Sequence, residues 1–489
     1  MRLTKHSNPL TGLPGRAGLF AAALAGVSLI PAAQAQTTDN FWDGSESNAW
    51  EDAGNWSLDS VPNATSVNTY INLEDVTLSS DVSVRFLRLG TVENSTSSLT
   101  FGDGASITTG SAAASGVGVS LGSTAIVTQN GGSFDAQLNF LLGGFSSTVR
   151  GGSGTYNLNA GTFNVAGLLS LAHSTAPTST GIFNQSGGTA TVGSLDIGSM
   201  RYGGTFSDFV NTAEYNLTGG DLSVTGNVTM GNADSTSGIG TVYSTFKLVG
   251  SGSNVNVGGN LAMRASDKSF TTLSYTLDNG GVSKVNLTGT GTATLEGTLE
   301  ANLNGGMTLT TGNTFNLVEA NTGNITNNLS TLPNSSLWNV AVVTLSGGTR
   351  DALQLSLNGA AQQGSIAAGE AATFGPAAIG YVIMTGMTNG SNVDIYLNVD
   401  AGSGMSIADY VNYLTSNGIV ASTTTESGYT VVVSMEAGAE TGYYAWDLSD
   451  FSNDATVAGV MFIPEPASTA ALAGLAVIGL VYLRRRARR

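Results

Sequence analysis

The chain contains no cysteine, which excludes disulfide stapling, thiolate catalysis and Cys-ligated zinc. Charge is scarce as well, with Asp, Glu, Lys and Arg together making up only 10% of the residues. Histidine is nearly missing. His6 lies close to the start, so only His173 serves the rest of the chain. One imidazole supplies too few ligands for a His-based zinc site. A Ser-His-Asp triad would have to use His173 with Ser170 or Ser174. His173 follows a short strand at the start of a loop, where an exposed histidine is the ordinary outcome. Basic residues are the scarcest of all. Three of the seventeen lie at the start (Arg2, Lys5, Arg16), and five lie in the last six residues. Nine therefore remain between Gln36 and the final apolar run, against 34 acidic residues, a net charge of about −25. Such a body argues against nucleic acid or an anionic membrane surface as partner, and permits weak Ca²⁺ association at most.

Carboxylates are then the remaining source of general acid and base chemistry. The candidates are Glu51-Asp52, Glu74-Asp75 and the group Asp447, Asp450 and Asp454, none with the ligand spacing of an EF-hand. Asp196 and Asp221 stand alone on their strands and read as solvated surface acids. No catalytic residue, metal site or cofactor is assigned, and the Gly-Gly pairs belong to a repeat rather than to a nucleotide fingerprint.

What is abundant is glycine, 66 of 489 residues, among Ser, Thr and Asn, with 41% hydrophobic residues. That mixture fits an all-β protein with many turns, and the length suits two or three ordinary domains or one long repeat array. Residues 1–35 read as a secretory signal peptide. A basic start leads into the apolar stretch 17–30, and the small-residue site Ala33-Gln34-Ala35 places the cut before Gln36. Residues 36–100 open with three of the five tryptophans, Trp42, Trp50 and Trp56. These rings either cap the open end of a solenoid core or stack on sugars.

Residues 101–320 carry the repeat. Aligned on the second residue of a small-residue turn, the units begin at Gly132, Gly161, Gly188, Gly220, Gly252 and Gly281, a spacing of 27–32 residues. Each holds three short strands with alternating apolar positions. One unit gives Phe183 and Gln185, Ala190 and Val192, then Leu195 and Ile197. Glycines such as Gly193, Gly226, Gly198 and Gly231 separate the strands, where positive φ is expected. Three strands per turn match one rung of a parallel β-helix. Residues 321–366 add terminal strands. Residues 367–460 read as a small α+β module whose helix runs from Ile407 to Ser416, capped by Ser406 and stopped by Asn417-Gly418.

The tail, 464–489, reads Pro464-Glu465-Pro466, an apolar run over 467–483, and Arg484, Arg485, Arg486, Arg488 and Arg489. The run reaches roughly 25 Å as a helix, close to a hydrocarbon core, and the arginines would stay cytoplasmic. This order of motif, helix and arginines resembles the PEP-CTERM sorting signal of Gram-negative bacteria. The Trp-rich opening and the repeats are similar to secreted bacterial β-solenoids related to the autotransporter-associated repeat. The resemblance implies export by Sec-type machinery and handling by an exosortase, a transpeptidase-like membrane protease. A plain, uncut membrane anchor is the alternative for the tail.

The expected fold is thus mainly β: a right-handed parallel β-helix, then a small α+β module, then a transmembrane sorting helix. The expected function is that of a secreted, non-enzymatic structural protein of the cell surface or extracellular polysaccharide matrix. The alternatives are a polysaccharide lyase or glycosidase on the same β-helix, and a carbohydrate-binding surface protein using Trp42, Trp50 and Trp56.

Overall fold

A computed structural model describes residues 37–357 apart from 145–150, 173–177, 199–209, 232–239, 304–312 and 332–337, and beyond them separate elements between 362 and 463. The first part is a parallel β-solenoid of about nine turns. One turn is made by Val210–Leu217, Asp221–Val224 and Val228–Met230. The next is made by Thr241–Val249, Asn254–Val257 and Leu261–Met263. Each strand pairs in parallel with its counterpart one turn on. Phe183 lies beside Tyr215 and Tyr215 beside Phe246 in the first ladder. Val192, Val224 and Val257 align in the second, and Ile197, Met230 and Met263 in the third.

The alternation of side chains decides what this stacking buries. Every second residue of a strand points inward, and stacking in register brings like positions together. The inward residues expected from the sequence, Phe183, Gln185, Ala190, Val192, Leu195 and Ile197, are all buried, and so are Leu217, Leu222, Val228, Leu248, Val255 and Leu261 on the next two turns. Burying each such side chain contributes about 1.5–3 kcal/mol. Aromatic rings continue the stack: Tyr156 on Phe183 at 5.2 Å and Phe183 on Tyr215 at 4.9 Å between centroids.

The turn between first and second strands explains the small-residue spacing. Gly220 has φ +79°, and a Cβ there would also overlap the Gly188 carbonyl one turn below, so only glycine fits. The corner between second and third strands is different. Gly198 and Gly231, after the third strand, do have positive φ, but Gly193 and Gly226 do not. Close approach keeps them glycine: a Cβ on Gly226 would press on the Gly193 carbonyl, and one on Gly193 on those of Ala166 and Gly167.

Register also corrects the glycine alignment. Asp221 pairs with Asn254, so the residue equivalent to Gly220 is Ser253, not Gly252. Val255 pairs with Val285, so the next equivalent is Ser283, not Gly281. Ser253 N–H donates to Ser283 Oγ at 3.1 Å across that step.

Further chain packs at both ends of the described solenoid. At the first, Trp42 N–H bonds the Tyr70 carbonyl and Ser57 N–H bonds the Phe41 carbonyl, so segment 42–57 folds back over the opening turn. At the other, the antiparallel pair Trp338–Thr344 and Arg350–Leu357 lies beside Thr314–Asn321, with Trp338 buried edge-on to Phe315. The parallel ladder itself continues to Ile325–Thr331. Beyond 357, Ala371–Thr373, Ala455–Ile463, Asn392–Val399, Val431–Glu436 and Ala421–Thr423 form one antiparallel sheet, and a helix spans Ile407–Ser416.

Candidate functional site

Trp42, Trp50 and Trp56 form one cluster. Trp56 meets Trp42 edge-on at 5.1 Å and Trp50 at 4.8 Å, and its Nε1 donates to the Trp50 carbonyl at 2.8 Å. All three are buried, two of them completely. A sugar stacks on an open ring face, and none of these rings has one. Of the two roles open to them, burial leaves no ring face for the sugar contact, and they roof the first turn of the core.

The acids of the same cap hold it in place. The Glu51 carboxylate accepts from Ser79 N–H at 2.7 Å and from the Ser79 and Ser80 hydroxyls at 3.0 and 2.9 Å. Burial pulls this carboxyl upward, but these hydrogen bonds together with one from its own backbone N–H outweigh it and hold its pKa below the ordinary value of 4.5. Asp52 accepts from Ser47, and Asp75 from Ser98 one turn on.

Ser170 is buried, in register with Leu141 and Asp196. Asp196 is buried too rather than solvated. Asp221 is taken up by Asn254, whose N–H and Nδ2 donate to it at 3.1 and 2.8 Å. His173, Ser174, Asp450 and Asp454 lie outside the described residues, as do Ala33, Ala35, Gln36 and the whole tail from Pro464 to Arg489. Among the described residues, no three His, Cys, Asp or Glu side chains converge on one point. No described helix is long and apolar enough to cross a membrane.

Many outward polar side chains bond to the next turn. Asn159 Nδ2 donates to Asn130 Oδ1 at 2.8 Å, and Ser186 Oγ donates to Asn159 Oδ1 at 2.9 Å. A second ladder joins Asn157, Asn184 and Asn216 at 2.9 and 3.0 Å. One part of the outer surface combines such bonds with a concavity. It lies on the first ladder, over the four successive strands that carry Glu214, Thr245, Ser274 and Glu300. There Asn216, Lys247, Ser274 and Glu300 lie in register, with Glu214 and Asn302 alongside, around a concavity of about 500 Å³. Lys247 has no ion-pair partner among the described residues, where Lys284 with Glu319 at 2.8 Å is the pair formed.

On two of those strands, Tyr243 and Phe270 are 46% and 49% exposed. Their rings stack at 5.2 Å with planes 16° apart. Outward aromatic residues on consecutive turns are the signal by which the sequence could have pointed here. It was hidden because Tyr243 and Phe270 are 27 residues apart and become neighbours only in register. Set against family models, curated proteins and solved structures, the chain matches none.

Proposed function

We propose that the protein is a secreted, non-enzymatic structural protein of the cell surface or extracellular polysaccharide matrix. In this reading residues 1–35 direct Sec-type export. Pro464-Glu465-Pro466, the apolar run 467–483 and the arginines then hold the chain transiently in the inner membrane until an exosortase-type protease removes the tail. The observation that carries the structural role is how the outward side chains are used. They tie turn to turn through amide and hydroxyl ladders along a continuous core, which favours a rigid, protease-resistant rod over a reactive surface.

A hydrolytic role is the less favoured reading. The strands bearing Glu214 and Glu300 are three spacings apart, about 14 Å, whereas catalytic carboxyl pairs stand about 5–9.5 Å apart. Cell fractionation tests the sorting half. Wild-type protein is expected in the surface and medium fractions, and a Pro464→Ala/Glu465→Ala variant in the inner membrane. Equal distribution of the two would overturn the proposal.

A further inference from the structure

The concave patch on the first ladder calls for a ligand of its own. The strands bearing Asn216, Lys247 and Ser274 are paired on both sides along the solenoid, so their backbone is engaged. Over those strands recognition comes from side chains. Those side chains are of two kinds. Tyr243 and Phe270 present about half their surface to solvent as a stacked pair. Leaving two large rings exposed on neighbouring strands forgoes the burial that most of the described aromatic residues obtain, Phe41 stacked on Tyr70 being a further exposed ring.

The rings do not line the concavity themselves; its amide, hydroxyl, carboxylate and ammonium groups begin at Thr245, two residues along the same outward face, and continue to the Lys247–Ser274 row. Asn216 already donates to Asn184 at 3.0 Å and to Glu214 at 3.5 Å, which fixes its side chain in place. Asn302 donates to Ser274 at 3.5 Å. The facing sides of the two rings cover each other, so the exposed half is the outer ring surface. Apolar ring surface on the same face as fixed donors and acceptors is what a pyranose needs, since it offers C–H faces on one side and hydroxyls around its rim. The patch crosses four strands, about 14 Å at the spacing of a sheet, which suits a short oligosaccharide rather than a single sugar. Its charge selects further. Two carboxylates against one ammonium, on a body of about −25, disfavour uronate or phosphate groups.

We propose that this face binds a neutral oligosaccharide, with Tyr243 and Phe270 as the stacking platform and Asn216, Lys247, Glu214 and Glu300 as its hydrogen-bonding partners. The proposal deepens the matrix-protein reading and rests on it only for the source of the glycan. Failure to sort would show in fractionation, and failure to bind would show in titration.

The test is isothermal titration calorimetry of the full chain in mild detergent. The probes are cellohexaose, laminarihexaose and maltohexaose, with an alginate hexasaccharide as the acidic control. Saturable binding of at least one neutral hexasaccharide is expected, without detectable binding of alginate. Tyr243→Ala and Phe270→Ala should each weaken it about tenfold. Lys247→Gln should weaken it by a smaller factor and leave the rings in place. Circular dichroism and the unfolding midpoint serve as controls, and exposed positions of this kind should leave both unchanged. No saturable binding of any neutral probe would overturn the proposal. So would preference for alginate, or wild-type affinity in a Tyr243→Ala/Phe270→Ala double variant.

Discussion

Gln185 is a buried amide with a complete set of partners. Its Oε1 accepts the Tyr215 hydroxyl at 2.7 Å, and its Nε2 donates to the Asp221 and Gly188 carbonyls at 3.0 and 3.3 Å. Burial pushes the Tyr215 phenol well above its ordinary range, so it stays a donor. Gln129 repeats the device two turns earlier, with Tyr156, Thr162 and Gly132. Gln185→Leu is expected to cost about 1–3 kcal/mol in urea unfolding, because a buried hydroxyl and a corner carbonyl lose their partner. Adding Tyr215→Phe should recover part of that loss, since both members of the pair then become apolar. The inward direction of Gln185 was legible from strand alternation. Its role was not, because its partner Tyr215 is 30 residues away.

The corner glycines behave as a group. The sequence located them but suggested one reason for all, left-handed backbone. Gly220 and Gly231 bear that out, while Gly193 and Gly226 are glycine because a stacked carbonyl sits where a Cβ would go. Gly226→Ala is thus expected to destabilise by about 1–3 kcal/mol although its own φ would accept alanine. An unchanged urea midpoint would contradict this account of the corner.

The caps make a pH prediction. Glu319 resembles Glu51: burial pulls its carboxyl up, but hydrogen bonds from Lys284 and Asn316 and the charges of Lys284 and Arg350 hold it below 4.5. A depressed folded pKa contributes stability that is present above the unfolded value and is lost as pH falls through the folded one. The urea midpoint should therefore hold at neutral pH and decline below about 4.5, and Glu51→Gln or Glu319→Gln should flatten that decline. The fifteen-residue tryptophan cluster was legible as a cap, because an open solenoid end needs one. The exposed pair Tyr243 and Phe270 was not, since each looks like any strand aromatic until the register sets them side by side.

Stacked turns that touch only their neighbours make stability nearly a sum over turns. Thr189 pairs with Asp221, so removing residues 189–220 deletes one full turn and leaves the ladders in register. That deletion should still unfold cooperatively, with a lower midpoint, by circular dichroism. Removing 189–204 shifts the ladders out of register and should not yield a folded chain. The repeat was read well between 132 and 220, where a small-residue turn marks each unit. It slipped at Gly252 and Gly281, because the turns there place Ser253 and Ser283 at the equivalent positions.

The central claim is that this solenoid is exported, freed of its tail and left outside the cell. Intact mass of the protein recovered from the surface and medium of its source tests it most directly. The account predicts a chain that begins at Gln36 and ends near 464–467, with any added carbohydrate seen as a heterogeneous increment. A mass that still includes residues 467–489, found only in membranes, would contradict it and make the tail a permanent anchor.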